Sequence, residues 1–173
     1  MIKIVSVFGT GRARAGDKNY VLAERLGRAL AGAGFAIANG GYGGTMEASA
    51  KGASIAGGEV VGVTCSAFER GQANKFVGRE IVTKSLNERL EKLIEIGNAY
   101  IVLPGGTGTL LELALVWELR NKAFLGEDKP IILLGEYWSG LVELVASNDA
   151  DSRRHLLFAD GPEKVVEMLK SRS

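Results

Sequence analysis

The stretch that most constrains the fold is AYIVLPGGTGTLLELALVW, which occupies Ala99–Trp117. Its apolar run Tyr100–Leu103 predicts a buried central strand, which Pro104 ends. Three glycines then allow a tight turn, and the apolar sequence from Thr109 onward predicts a buried helix. Such a unit can bind a phosphate, because backbone N–H groups and the helix dipole face it without a Cβ in the way. The glycines would equally suit a compact turn without a ligand.

Glu112 is a carboxylate within a helix that is apolar on nearly every side. It stands three residues after Thr109, so the T-x-x-E spacing predicts a capping box, which would explain the acid without any chemistry. At about 100° per residue, Glu112 also falls between Val116 and Leu119 on the helix surface. A carboxylate on an apolar face needs a partner or a function, so Glu112 is a candidate catalytic residue.

The preceding predicted helix carries a second charge among apolar residues. The segment S-L-N-E beginning at Ser85 predicts a capping box, and an apolar stripe follows it. The same helical geometry places Arg89 between Leu93 and Ile96, inside that stripe. We expect Arg89 to hold Glu112 or a phosphate as a forked donor. A buried ion pair that only fixes two helices is the alternative.

Strand and helix patterns alternate along the whole chain. Predicted strands occupy Ile2–Phe8, Phe35–Ala38, Val60–Val63, Ile81–Val82, Tyr100–Leu103, Pro130–Leu134 and His155–Phe158. Predicted helices occupy Lys18–Ala33, Thr45–Ala56, the segment after Ser85, the segment from Thr109, Tyr137–Ala146 and a last segment that starts at Asp160. This order predicts an α/β fold in which a mostly parallel sheet is flanked by helices, as a single three-layer domain over residues 1–173.

Three of the predicted strands lead into glycine-rich turns, at Gly9–Gly11, Gly40–Gly44 and Gly105–Gly108. All three turns lie at strand C-terminal ends, where open α/β sheets bind ligands. The first turn is an incomplete G-x-G-x-x-G, because Arg14 occupies the third glycine position, and no acid suited to a ribose ends the second strand. NAD binding is therefore not expected. Arg12 and Arg14 are interpreted as solvated loop residues, with phosphate contact as the alternative.

Charge and composition argue against several classes of function. The formal net charge is +1, which gives no overall attraction to nucleic acids or membrane surfaces. Cys65 is the single cysteine and His155 the single histidine, so neither an internal disulfide nor a zinc site is expected. Cys65 is interpreted as a small, partly buried apolar residue. With no signal peptide or membrane span predicted, we expect a cytoplasmic protein without metal or cofactor.

The segment Pro104–Glu112 matches P-G-G-x-G-T-x-x-E, the signature of the LOG (Lonely Guy) family. A second family signature, E-R-K, is present in part as Glu88 and Arg89, with Leu90 in place of the lysine. The segment Asn39–Met46 resembles the family's G-G-G-x-x-G-L-M turn, with asparagine at the first glycine. The chain therefore resembles LOG proteins, which have a compact Rossmann-like fold and are related to molybdenum-cofactor carrier proteins.

This resemblance implies a phosphoribohydrolase, which cleaves a nucleoside 5′-monophosphate such as AMP into free base and ribose 5-phosphate. It implies catalytic roles for Arg89 and Glu112. The residues that it implies for phosphate binding are Gly105, Gly106, Thr107, Gly108 and Thr109. The residues that it implies for the wall around the base and ribose are Gly9, Gly11, Gly40, Gly41, Gly44 and Met46. LOG proteins are at least homodimers, so a homodimer or higher homo-oligomer is expected.

Two other functions fit parts of the same pattern. A non-catalytic nucleotide-binding or molybdenum-cofactor carrier protein would keep the phosphate turn and use Arg89 and Glu112 only to hold structure or ligand. A pyridoxal-phosphate-dependent decarboxylase would need a Schiff-base lysine, and none of the three glycine turns contains a lysine. The carrier is therefore the alternative that remains.

Overall fold

The apolar runs of the sequence form the strands of one sheet in a computed structural model that describes residues 3–69 and 71–172. In chain order the strands are β1 (Ile4–Phe8), β2 (Ala36–Asn39), β3 (Val60–Cys65), β4 (Arg79–Thr83), β5 (Ala99–Val102), β6 (Ile131–Leu134) and β7 (Leu156–Ala159). Their order across the sheet is β4-β3-β2-β1-β5-β6-β7, and all neighbours pair in parallel. The sheet expected to be mostly parallel is thus parallel throughout its described strands.

The helices cover both faces of this sheet. They are α1 (Lys18–Gly32), α2 (Thr45–Ile55), α3 (Leu86–Ile96), α4 (Thr107–Asn121), α5 (Ser139–Ala146) and α6 (Pro162–Lys170), with a short 3-10 helix at Ser152–His155. One apolar cluster joins the sheet to α1, α2 and α6, and a second joins its other face to α3, α4 and α5. The predicted three-layer α/β architecture is confirmed.

Alternation along the strands assigns side chains to these two layers. In β1, Val5 and Val7 pack in the first cluster and Phe8 packs in the second, because successive side chains point to opposite faces. The central strand β5 is completely buried, with Tyr100 and Ile101 both at 0% exposure. A strand buried on both faces explains why its sequence is uniformly apolar rather than alternating.

The strand order reverses at the centre of the sheet, between β1 and β5. From β1 the chain builds outward through β2, β3 and β4, and it then returns to place β5 on the other side of β1. Open α/β sheets bind ligands at such a switch point, at the C-terminal ends of the strands. The glycine turns that follow β1 and β5 lie there, with the turn after β2 beside them.

The helix caps confirm one sequence prediction and contradict another. Ser85 caps α3, because its Oγ accepts a hydrogen bond from the Glu88 backbone N–H at 3.2 Å. The capping box predicted for Thr109 and Glu112 is wrong. Helix α4 already begins at Thr107, with Gly106 as its N-cap, so Glu112 lies in the second turn and not at the cap.

Most of the remaining predicted boundaries agree with the structure to within two residues. The start of the first strand at Ile2 lies outside the described residues. Strand β3 continues to Cys65, which is buried, and the last strand begins at Leu156 because His155 belongs to the 3-10 helix. In the described ranges, no helix combines the length and apolarity needed to cross a bilayer.

Candidate functional site

A cavity of about 1210 Å³ opens at the C-terminal edge of the sheet, at the switch point. Its walls come from the turns after β1 and β2, the start of α2, the β3–β4 connection, α3 and the start of α4. Nine of the predicted site residues line it: Gly9, Gly11, Met46, Arg89, Gly106, Thr107, Gly108, Thr109 and Glu112. The other four, Gly40, Gly41, Gly44 and Gly105, are not among the lining residues.

The N-terminus of α4 forms one wall of the cavity and has the features of an anion site. No side chain caps the helix, and its first turn contains no acidic residue. A Cβ added at Gly106 or Gly108 would meet nothing within 4 Å, so the backbone there is accessible. The Thr109 hydroxyl is buried and has no hydrogen-bond partner among the described residues. Backbone N–H groups, the helix dipole and this hydroxyl together suit a phosphate.

Gly105 supports this turn from behind. A Cβ on Gly105 would lie 2.1 Å from the Thr109 Oγ1, so only glycine lets the turn fold against the helix. The Tyr137 hydroxyl donates to the Gly105 carbonyl at 3.0 Å, and the Trp138 indole donates to the Leu103 carbonyl at 3.0 Å. The segment between β6 and α5 therefore fixes both ends of the short link from β5 to the anion turn.

Arg89 projects from α3 into the cavity wall and is buried, with 7% of its surface exposed. Its Nε donates to the Val63 carbonyl at the end of β3, at 2.8 Å. Its guanidinium lies 5.8 Å from the ring centroids of both Tyr42 and Phe68. The helical phase predicted from the sequence is confirmed: the charge lies inside the apolar face of its helix.

Glu112 faces the same cavity from α4 and is also buried, with 8% exposed. Its Oε1 lies 3.9 Å from an Arg89 terminal nitrogen, a distance too long for a hydrogen bond. Burial raises the pKa of Glu112 to about 7, and the charge of Arg89 opposes that shift only in part. The two charges that the sequence placed in apolar stripes thus meet beside the anion turn.

In the turn after β2, Gly43 lines the cavity, whereas Gly40 and Gly44 shape its wall from behind. A Cβ on Gly40 would lie 1.6 Å from an Arg89 terminal nitrogen, so its absence makes room for the guanidinium. Gly44 has φ +69°, and a Cβ there would lie 2.3 Å from the Thr10 carbonyl. That carbonyl accepts hydrogen bonds from both the backbone N–H and the hydroxyl of Thr45. The first two glycine turns are thereby locked together.

The β3–β4 connection contributes a wall that sequence reasoning missed. The residues of this connection that line the cavity are Phe68, Gln72, Asn74 and Lys75. Unlike the glycine turns, they bring side chains to the cavity: an aromatic ring, amides and an amine. The segment has no hydrophobic period, so its place could not be read from the sequence. The available signal was the presence of phenylalanines, Phe68 and Phe76, within a polar loop, because exposed aromatics are costly unless they contact something.

Three further charged residues line the cavity. Arg12, interpreted as solvated, is exposed and lines the cavity with Lys75, whereas Arg14 is not among the lining residues. Glu47, in the first turn of α2, also lines it. Among residues 3–69 and 71–172, no group of three or more histidine, cysteine or acidic side chains is placed to hold a metal ion.

A parallel sheet with its cavity at the strand-order switch point and glycine turns around it defines the Rossmann-like class of α/β domains. Within this class the chain belongs to the SLOG cluster4 family, whose sequence profile matches residues 2–166. The resemblance to LOG proteins and to molybdenum-cofactor carrier proteins is confirmed by the relatives that follow.

Two relatives are named for nucleotide cleavage. The chain is 38% identical over 116 residues to the cytokinin riboside 5′-monophosphate phosphoribohydrolase of Mycobacterium tuberculosis, covering 65% of this chain and 60% of that protein. It is 30% identical over 172 residues to the pyrimidine/purine nucleotide 5′-monophosphate nucleosidase of Escherichia coli K12, covering 90% of this chain and 38% of that protein. The chain thus spans less than two thirds of either relative's length.

A solved structure adds a relative of a different kind. The molybdenum cofactor binding protein from Rippkaea orientalis superimposes with a TM-score of 0.81 at 28% identity, covering 99% of this chain and 97% of that one. Relatives of this chain are therefore named both for nucleotide cleavage and for cofactor binding.

Proposed function

We propose that this protein binds a nucleoside 5′-monophosphate in the cavity and hydrolyses its N-glycosidic bond. The observation that carries the proposal is the buried Glu112 carboxylate, which lines the same cavity as the uncapped N-terminus of α4. An anion site beside a carboxylate suits a substrate that carries a phosphate at one end and develops positive charge at its sugar. The names of the mycobacterial and E. coli relatives support this substrate class.

The phosphate would lie at the anion turn. Backbone N–H groups of Thr107 and Gly108 and the hydroxyl of Thr109 supply donors there, and the helix dipole adds partial positive charge. The first glycine turn, Gly43 of the second turn and Met46 line the same cavity and would face the sugar and base. Binding energy at the phosphate then fixes where C1′ stands relative to the carboxylate.

The chemical step breaks the bond between C1′ and the base nitrogen. The bonding electrons leave with the base, and positive charge develops on the ribosyl group as in glycoside hydrolysis. Ionised Glu112 stabilises that charge more strongly in its water-poor surroundings than it would in bulk solvent. A water oxygen bonds to C1′ and the base takes up a proton, so the products are free base and ribose 5-phosphate. Arg89, whose terminal nitrogen lies 3.9 Å from the carboxylate, opposes part of the rise in the Glu112 pKa and so favours the ionised form.

Chromatography after incubation with AMP tests this proposal. Free adenine and ribose 5-phosphate are the expected products, and adenosine should stay intact because it brings no phosphate to the anion turn. Release of inorganic phosphate instead of base would show a different bond being cleaved. Absence of base from AMP, GMP and CMP alike would overturn the hydrolase.

The second candidate function is a non-catalytic carrier of a nucleotide or of molybdenum cofactor. The observation that favours it is the full-length likeness to the Rippkaea orientalis protein. A carrier uses the same anion turn but leaves its ligand unchanged. Measurable binding of a phosphorylated ligand in calorimetry, together with no base release from any nucleotide, would select this function.

We also propose a homodimer or higher homo-oligomer. Helices α3 and α4 leave an apolar groove of about 450 Å³ between Leu90, Ile94, Leu115 and Leu119. Leu115 and Leu119 are only partly buried, so packing this groove against a second copy would remove their remaining exposed surface from water. Sedimentation equilibrium that returns the monomer mass at micromolar concentration would contradict this. The cytoplasmic location and the extent of the domain over residues 1–173 stay predictions of the sequence.

A further inference from the structure

The guanidinium of Arg89 is restrained on several sides. The Val63 carbonyl accepts its Nε–H at 2.8 Å, and the rings of Tyr42 and Phe68 each lie with their centroids 5.8 Å from the guanidinium carbon. Yet the ion pair with Glu112 stays open at 3.9 Å. Two opposite charges in a buried wall attract each other strongly, so something must hold them short of a hydrogen bond.

We propose that Phe68 is a positioning residue, which together with Tyr42 and the Val63 carbonyl holds the Arg89 guanidinium away from a close ion pair with Glu112 and so keeps the carboxylate available to the ligand. An aromatic face attracts a guanidinium through its quadrupole, and the attraction grows when water is excluded. The rings thereby compete with Glu112 for the cation. The kinetic part of this inference rests on the proposed hydrolase function; the structural part does not.

The rings are themselves fixed in place. The Tyr42 hydroxyl donates to the Cys65 carbonyl at 3.1 Å and accepts from the Cys65 N–H at 2.9 Å, which ties the ring to the end of β3. The Asn74 side-chain amide donates to the carbonyls of Gly41 and Tyr42 at 3.0 and 2.9 Å. The connection that carries Phe68 is therefore tied to Tyr42 on both sides, which sets the ring over Arg89.

Without this restraint the ion pair would close. Moving the charges from 3.9 Å to a hydrogen-bonded distance of about 2.8 Å strengthens their attraction enough to lower the pKa of Glu112 by about one unit at an effective dielectric of about 20. The charge of Arg89 on α3 lowers the pKa of Glu112. Glu47 of α2, Arg12 of the turn after β1 and Lys75 of the β3–β4 connection also line this cavity, and substitution at Phe68 leaves them all present.

Replacing Phe68 by leucine tests the inference, because leucine keeps apolar bulk but has no π face. NMR follows the signal of the Glu112 carboxyl carbon during a pH titration of protein labelled at glutamate. The signal is assigned to Glu112 because it is missing from the spectrum of Glu112→Gln. We expect the midpoint of the Glu112 titration to fall by about one pH unit in Phe68→Leu and to stay at the wild-type value in Phe68→Tyr. Phe124→Ala, which removes a ring that is 79% exposed, is the control and should leave the midpoint unchanged.

An unchanged or raised midpoint in Phe68→Leu would overturn the inference, because the ring would then not be what holds the charges apart. Phe68→Ala is the second variant and should shift the midpoint in the same direction as leucine. In the kinetic arm, the acid limb of kcat/KM for AMP should move down with the midpoint. If wild type releases no base, the hydrolase proposal fails while the NMR titration still decides the role of Phe68.

Discussion

Substituting Gly40 by alanine perturbs the site at one point whose geometry is known. The added Cβ would lie 1.6 Å from an Arg89 terminal nitrogen and 2.5 Å from the Met46 sulfur. Non-bonded heavy atoms need about 3.5 Å, so the guanidinium must retreat by about 2 Å. Gly40 is not among the described glycines with positive φ, so its backbone accepts alanine without strain.

The retreat has a cost that the structure lets us bound. The hydrogen bond from Arg89 to the Val63 carbonyl measures 2.8 Å and cannot survive a 2 Å shift. Losing a buried hydrogen bond from a charged group costs about 1.5–3 kcal/mol. Because displacements of about 1 Å in a catalytic group can cost about a hundredfold in rate, base release from AMP should fall by about two orders of magnitude.

Urea unfolding and the adenine-release assay check both numbers for Gly40→Ala. Gly43→Ala is the matched control for stability, because it adds the same methyl group in the same turn where a Cβ meets nothing within 4 Å. It should leave the free energy of unfolding unchanged. A Gly40→Ala protein as stable and as active as wild type would refute the packing of Arg89 on Gly40 as the reason for this glycine.

Two further predictions concern Glu112 and Tyr137. The folded protein holds a proton on Glu112 up to pH about 7, against an ordinary value of 4.5, so the free energy of unfolding should fall as pH rises between these values. The loss of unfolding free energy over this pH range is at most about 3 kcal/mol. Urea unfolding of Glu112→Gln should show no such loss, and the same pH dependence in that variant would assign the effect to another group. Tyr137→Phe removes the exposed hydrogen bond to the Gly105 carbonyl, so KM for AMP should rise about threefold at unchanged melting temperature. An unchanged KM would show that the anion turn does not need this support.

The sequence was informative where periodicity was strong. The apolar run of β5, the glycine turn and the apolar α4 predicted the central unit, and helical phase alone placed Arg89 and Glu112 inside apolar stripes. Both are buried, as that phase requires, and the structure places their charged groups 3.9 Å apart. The parallel sheet followed from alternation, since parallel strands need crossover helices.

Other features depend on contacts between distant segments, which no local pattern records. The capping box at Thr109 matched by spacing and was wrong, because the uncapped glycine turn lets α4 begin earlier, at Thr107. The contact of Gly40 with Arg89 joins residues 49 apart, and Phe68 reaches the site from a connection without a period. The resemblance to LOG proteins named Gly40 as a site residue without indicating that its role is to make room.

Glu112→Gln tests the account most directly, because it keeps the shape of the side chain and removes its charge. Adenine release from AMP is measured beside AMP binding by calorimetry, with Glu118→Gln as the control, since Glu118 lies on the same helix and its side chain is 58% exposed. We expect release to fall by about 10²–10³-fold in Glu112→Gln while the Kd for AMP stays within a few fold, and Glu118→Gln to behave as wild type. Undiminished release from the Glu112→Gln protein would contradict the assignment of the chemistry to this buried carboxylate.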